Sequence, residues 1–139
     1  MSARSPFEYA IIRIVPRVER GECLNVGVVL FCRTRRFLDA RIEPDLTRLA
    51  AFAPGLDLLP IQEQLAHIPL ICQGGKSAGP IGLLPQQERF RWIVAPRSTV
   101  IQPSPVHCGI CDDPALALDR LLVSLVLPID LQHDPTPRS

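Results

Sequence analysis

The stretch FEYAIIRIV at residues 7–15 decides the fold, because nearly all of it is apolar, aromatic or β-branched. Prolines at positions 6 and 16 bound the stretch, so the pattern predicts a buried β-strand. Counting in steps of two puts Tyr9, Ile11 and Arg13 on one face of that strand. Arg13 therefore lies among apolar neighbours, where its guanidinium needs either a carboxylate or a ligand.

Further strand signals follow the first. Residues 25–33, NVGVVLFCR, are apolar on both alternating faces, which is typical of a central strand covered on both sides. Residues 37–42, FLDARI, alternate apolar with polar side chains and predict a half-exposed third strand that forms a hairpin with the second. Short strands are also predicted at residues 89–94 and 99–102, where β-branched and aromatic residues recur.

Three helices are predicted beside these strands. Pro44, followed by apolar residues at helical spacing, indicates a short helix, and residues 58–68 indicate a second. Asp113 and Pro114 are typical of a helix start, and leucines recur at helical spacing up to Pro128. Because this last helix has few polar residues, we expect it to lie deep against the sheet. The order of elements predicts an α+β fold, with a mainly antiparallel sheet and helices packed on it.

Length and composition bound the organisation of the chain. Its 139 residues are 47% hydrophobic and 21% charged, which suffices for one globular domain with its own core. No linker or internal repeat stands out. We therefore assign residues 1–133 to a single α+β domain and expect residues 134–139 to form a flexible C-terminal tail.

Charge and cysteine content exclude several classes of protein. Fifteen Lys and Arg against fourteen Asp and Glu give a net charge of +1, so no global field indicates nucleic acid or a membrane as the partner, although nucleic acid stays open as a ligand. The apolar run at residues 121–127 is too short to span a membrane, and the start of the chain lacks a signal-peptide pattern. Five cysteines, an odd number, fit reduced thiols in the cytoplasm better than a disulfide framework.

A His-Cys-x-x-Cys sequence at residues 107–111 has metal-ligand spacing. Its two thiolates, Cys108 and Cys111, can occupy two corners of a tetrahedral zinc site. The other cysteines and histidines are not paired at ligand spacing, and half a site is too little for a structural zinc. We therefore predict no metal and no cofactor.

Two polar runs are the candidate functional regions. The first surrounds the connection between the first two strands, where arginines, an acid and an amide can clamp an anion; a solvated, salt-bridged hairpin with Gly21 at its turn is the alternative. Within this run, Glu22 is the predicted partner of Arg13. The second run follows residue 96 and lacks the Gly-x-Ser-x-Gly turn of a serine hydrolase. The candidate ligand-binding residues are Arg13, Arg17, Arg20, Glu22, Asn25, Arg97, Ser98, Thr99, Gln102, Ser104 and His107.

The chain resembles a bacterial family, the domain of unknown function numbered three thousand and thirty-seven. The resemblance rests on RGECLNVGVVL at residues 20–30 and RFRWIVAPRSTVIQ at residues 89–102, and it continues through SPVH at residues 104–107. It implies a small cytoplasmic bacterial protein without established activity. It also suggests a protein partner similar to a toxin-type kinase. Cys108 departs from the family pattern, which has Thr there, and this weighs against zinc.

Because both polar runs match family positions, we favour a noncatalytic binding or accessory module in which the two runs meet and hold a polar or anionic group. One alternative is an enzyme of phosphoryl or nucleotide chemistry with His107 or Glu22 as general acid or base, which requires a cleft that brings both side chains together. A further alternative makes both clusters structural. In that case Arg13 pairs with Glu22, while Asn25 and Ser104 satisfy backbone groups.

Overall fold

The strand predicted at residues 7–15 is present as the central strand of an antiparallel sheet in a computed structural model that describes residues 4–128. The five strands are β1 (Ser5–Ile14), β2 (Leu24–Cys32), β3 (Phe37–Ile42), β4 (Ile101–Pro103) and β5 (His107–Cys111). One edge of β1 pairs with β2, which in turn pairs with β3. The other edge pairs with β5 and then β4, so β1 has neighbours on both sides.

Helices cover both faces of this sheet. They are α1 (Leu46–Phe52), α2 (Leu58–Gln73), α3 (Gln86–Val94) and α4 (Pro114–Leu125). The first three pack on the face that carries Ala10, Ile12 and Ile14, whereas α4 packs on the face that carries Phe7 and Val28. The predicted α+β fold class is therefore confirmed. No helix between residues 4 and 128 combines the length and apolar character needed to cross a bilayer, and the predicted tail at residues 134–139 lies outside the described part of the chain.

The strand predicted at residues 89–94 is wrong, because this segment is the end of helix α3. Phe90, Trp92 and Val94 alternate with other residues as in a strand, but the buried side chains are Phe90 and Ile93. A spacing of three residues places both on one side of a helix. The Phe90 ring stacks on Phe31 of β2 with ring centroids 5.2 Å apart, and this contact anchors α3 to the sheet.

Two further predictions need correction. Helix α4 begins as predicted, since the Asp113 carboxylate accepts hydrogen bonds from the Ala115 and Leu116 amides, but Leu116 and Val123 are exposed and the helix does not lie deep. The segment at residues 107–111 carried no predicted strand, yet it forms β5. Its backbone pairing with β1 compensates for its weak strand propensity. Gly109 lies directly under the Phe7 ring, where there is no room for a β-carbon.

A β-bulge sets which side chains reach the α4 face near the end of β1. Ile12 lies opposite Gly27, but the next residue, Arg13, lies opposite Asn25, so Val26 is an extra residue in β2. Val26 turns into the core beneath α1 to α3, and Asn25 turns towards α4. Bulges re-aim side chains in this way and are frequent beside functional sites.

Ser104 joins the two short strands that share the outer edge of β1. Its amide donates to the Ile11 carbonyl at 2.8 Å, and its hydroxyl accepts from the Ile11 amide at 2.8 Å. The same hydroxyl donates to the Pro105 carbonyl. Ser104 thus makes the hydrogen bonds to β1 that a strand residue would make, although it lies between two prolines. These bonds hold β4 and β5 along the same edge of β1.

Exposure divides the five thiols, which leads to a test of the fold. Cys23 and Cys108 are exposed, whereas the other three are buried. Burial raises the pKa of Cys72 to about 12 and also raises that of Cys111, so these thiols stay protonated and unreactive near neutral pH. We expect a maleimide to modify two thiols rapidly in the native protein and all five in denaturant, as counted by mass spectrometry. Rapid modification of Cys72 in the native protein would contradict the packing of α2.

Candidate functional site

Three polar side chains form a row across the sheet on the α4 face. Arg13 lies directly opposite Asn25 on β2 and directly opposite Gln102 on β4. Cross-strand partners project to the same face of a sheet. The Asn25 side chain amide donates to the Leu125 carbonyl at 2.9 Å, and this bond identifies the face as the one that α4 covers.

Arg13 is the central residue of this row, and its guanidinium lacks the expected partner. Its Nε is buried and makes no hydrogen bond with any residue between 4 and 128. The predicted pair with Glu22 is wrong, because Glu22 accepts a hydrogen bond from Arg20 at 2.6 Å instead. An unpaired buried donor is unfavourable, by about 1–3 kcal/mol for a typical polar group and more for a charged one.

The Arg13 side chain borders a cleft where β1 ends, β2 begins and α4 ends. The cleft has a volume of about 600 Å³ and is lined by Arg13, Cys23, Leu24, Asn25, Arg48 and residues 124–128. Among the described residues that line it, the two charged ones are both arginines. Among the described residues, neither Arg13 nor Arg48 has a carboxylate within ion-pair distance.

The electrostatic balance of this cleft favours an anion. The carboxyl end of a helix carries the equivalent of about half a negative charge, which two guanidinium groups exceed. One of the terminal α4 carbonyls, that of Leu125, already accepts a hydrogen bond from the Asn25 side chain. At an effective dielectric constant near 20, each guanidinium attracts an anion 4 Å away by about 4 kcal/mol before desolvation is counted.

The arginines of the β1–β2 connection lie in a different place. Arg17, Arg20 and Glu22 line a second cleft, beside the loop that follows α1. The side chains of Arg20 and Glu22 are 62% and 54% exposed, and the hydrogen bond between them lowers the pKa of Glu22. Gly21 adopts a positive φ of 69° at the turn, as predicted. This arrangement matches the solvated, salt-bridged hairpin that the sequence left open.

Arg97 caps a helix. Its guanidinium donates to the Ile93 carbonyl at 2.8 Å and to the Trp92 carbonyl at 2.7 Å, and it stacks 4.6 Å from the centroid of the Trp92 ring. Its burial lowers the pKa of the guanidinium. Arg89 acts similarly on α2, because it donates to the carbonyls of Ile71 and Cys72. Cations at helix carboxyl ends satisfy terminal carbonyls, so two of the family-matching arginines have a structural explanation.

The remaining candidates of the second run are dispersed. Ser98 is exposed between α3 and β4, and the Thr99 hydroxyl donates to the Ile101 carbonyl. The buried Ser104 hydroxyl is used by Ile11 and Pro105. His107 is exposed, and its ring lies 5.3 Å from that of Tyr9.

The candidate ligand-binding residues therefore lie in several separate regions and do not form one site. Arg13, Asn25 and Gln102 form the row on the α4 face, whereas Arg97 and Thr99 border a groove against α2. The loop pair Arg20 and Glu22 occupies the second cleft. Glu22 lines the second cleft, and His107 is not among the described residues that line it.

The cysteine pair lies in β5, where alternation separates its side chains. Cys108 is exposed opposite Glu8, whereas Cys111 is buried opposite Ser5. Positions three apart in a strand project to opposite faces, so the two thiols do not converge on one ion. Between residues 4 and 128 no group of three or more metal-ligating side chains occurs. Low zinc content in the purified protein stays a prediction.

Sequence reasoning missed two residues of this region. Period-two counting predicts Tyr9 only as an apolar neighbour of Arg13, whereas its pairing with His107 makes it part of an aromatic surface. Arg48 lies in α1, and the sequence holds no signal that brings this helix to the end of β1. The chain that follows β3 carries α1, and with it Arg48, to the end of β1.

Comparisons with known proteins identify a family and nothing further. A family model described as a protein of unknown function (DUF3037) matches residues 9–126. Neither the curated proteins nor the solved structures give a significant match to the chain. The matched range includes β1 from Tyr9 onwards, the bulge, both polar runs and α4.

The buried Ser104 hydroxyl has hydrogen-bond partners, whereas the buried Arg13 Nε has none among the described residues. This contrast leads to a matched pair of stability predictions. Ser104→Ala leaves the buried Ile11 amide without an acceptor and should lower the free energy of unfolding by about 1–3 kcal/mol. Arg13→Met removes a donor that has no partner, so stability should stay the same or rise. Urea unfolding followed by circular dichroism measures both changes. A loss for Arg13→Met as large as that for Ser104→Ala would mean that Arg13 stabilises the fold.

Proposed function

The chain belongs to the DUF3037 family of proteins of unknown function, and we propose that it acts as a noncatalytic binding module that holds an anionic group at Arg13. The observation that carries this proposal is the buried Nε of Arg13, which has no partner between residues 4 and 128, beside a cleft whose described lining includes a second arginine and no acid. A guanidinium offers paired donors that match a carboxylate or a phosphate. An anion in the cleft would supply the partner that the fold does not.

The flanking amides support the same interpretation. Asn25 and Gln102 each use their NH₂ group on a backbone carbonyl, at 2.9 Å and 2.8 Å respectively. These bonds fix both side chains beside Arg13, while their carbonyl oxygens make no hydrogen bond with the described residues. The row therefore offers a cationic donor between two acceptors, which suits a ligand that has both an anionic group and donor groups.

The catalytic alternative has no such support. It requires Glu22 and His107 near one point, but Glu22 is paired with Arg20 in an exposed loop and His107 lies beside Tyr9 at the sheet edge. The purely structural alternative accounts for part of the set, because Asn25 and Ser104 do satisfy backbone groups. It does not account for Arg13, whose expected internal partner is absent among the described residues.

The anionic group can belong to a small molecule, to a nucleic acid as a phosphate, or to an acidic segment of another protein. The partner suggested by the family resemblance, a protein similar to a toxin-type kinase, stays a prediction that co-purification from the native host would test. A bacterial cytoplasmic location is likewise a prediction.

Binding of inorganic phosphate tests the proposed function. Ligand that binds only the folded protein stabilises it by RT ln(1 + [L]/Kd), or about 2.7 kcal/mol at a hundred times Kd. We expect phosphate to raise the Tm of the protein by several degrees, and we expect Arg13→Met to abolish this rise. Arg48→Met should reduce it. Differential scanning fluorimetry at constant ionic strength measures the effect.

Arg20→Met is the matched control, because it removes the same charge from an exposed ion pair outside the Arg13 cleft. Its phosphate response should equal that of the unmodified protein. An equal loss in Arg20→Met and Arg13→Met would assign the effect to overall charge and not to the cleft. A phosphate response that survives Arg13→Met unchanged would overturn the proposal.

A further inference from the structure

Among the described elements, helix α4 covers only part of its own face of the sheet. The helix packs mainly on β2 and β3, where its apolar side chains meet Val28 and Leu30. On the other side of β1, the same face continues onto β5 and ends at the exposed side chain of His107. An aromatic surface therefore borders solvent next to the Arg13 row.

Three rings build this surface from the core outwards. Phe7 is buried over Gly109, and its ring centroid lies 6.0 Å from that of Tyr9. Tyr9 in turn lies 5.3 Å from His107, with 34° between the ring planes. Because Tyr9 and His107 are direct cross-strand partners, the sheet holds them together without any ligand. The outermost ring is thus supported from beneath and accessible from above.

The aromatic surface and the anion site lie on one line along β1. Tyr9, Ile11 and Arg13 share the α4 face, and the four strand steps from Tyr9 to Arg13 span about 13 Å. Ile11 between them is nearly buried and supplies an apolar floor. A ligand that follows this line meets a stacking surface at one end and a guanidinium at the other.

We propose that the anionic group held at Arg13 is a phosphate of a ligand that also carries a nucleobase, and that the base stacks on His107 above Tyr9. This inference rests on the proposed function of the Arg13 site. Every base has a π-face, and open sheet faces with aromatic side chains bind bases by stacking.

The separation of the two ends restricts the ligand. A span of about 13 Å along the strand suits a ligand whose bound phosphate is not the one nearest to its base. A nucleoside triphosphate and a short single strand both meet this condition. Because the net charge is only +1, we expect the protein to contact few phosphates and its affinity to fall only gradually as the salt concentration rises. For a single strand, each phosphate contact contributes about −0.7 to the slope of log K against log salt concentration.

Competition experiments on the full chain test this inference. The probe is fluorescein-labelled tetrauridylate, followed by fluorescence anisotropy, and the competitors are ATP, inorganic tripolyphosphate and an abasic tetramer with the same backbone. We expect each base-bearing ligand to bind about fivefold to a hundredfold more tightly than its base-free counterpart, which is the range for stacking on one aromatic side chain. Displacement by ATP identifies a free nucleotide as the ligand, and binding of the strand alone identifies single-stranded nucleic acid.

Two variants of His107 are matched, and the side chain is exposed, so both should keep the Tm of the unmodified protein. His107→Ala should remove the advantage of the base while leaving tripolyphosphate binding unchanged, and His107→Phe should retain that advantage. Arg13→Met should weaken base-bearing and base-free ligands alike.

Equal binding of base-bearing and base-free ligands would overturn this inference and leave the proposed anion site intact. A duplex that binds as well as the single strand, or an undiminished base advantage in His107→Ala, would overturn it too. Failure of tripolyphosphate and of every base-bearing ligand to bind the unmodified protein would remove the proposed function as well.

Discussion

The enclosed position of β1 is the constraint on which the rest of the structure depends. Buried apolar side chains lie on both of its faces, so its backbone N–H and C=O groups need partners along both edges. The hairpin strand β2 serves one edge. The other edge is served by β5, Ser104 and β4 in turn, and this arrangement brings Gln102 and His107 to the same face as Arg13 and Tyr9.

The bulge in β2 is the second determinant of the Arg13 region. Without Val26 as an extra residue, an apolar side chain would lie opposite Arg13 and the amide of Asn25 would not reach α4. The next residue, Gly27, has no space for a β-carbon, because such an atom would lie 2.5 Å from Ile42 Cδ1 and 2.8 Å from the Arg41 carbonyl oxygen. The Asn-Val-Gly sequence therefore combines an orienting amide, a bulge residue and a close strand contact, which explains why these three residue types occur in this order.

Hydrophobic periodicity predicted the sheet core and the single α+β architecture, since β1, β2 and β3 each carry a strong pattern of their own. It failed for α3, where Phe90, Trp92 and Val94 alternate but Phe90 and Ile93 make the core contacts. The strand β5 has no intrinsic signal and exists because of its partner. Likewise, period-two counting put Arg13 on an apolar face but could not identify its neighbours. The bulge shifts the register, and Arg48 arrives from a helix that is distant in sequence.

The prolines around Ser104 have a consequence for association between copies of the protein. A long, regular outer strand would offer a row of unpaired N–H and C=O groups to a neighbouring chain and would invite edge-to-edge aggregation. Here Pro103 ends β4 and Pro105 follows Ser104, so two donors are missing from the middle of that edge. The segment that aligns two short strands on β1 therefore also interrupts this edge as a template for polymerisation, and the five residues of β5 are the longest continuous strand along it.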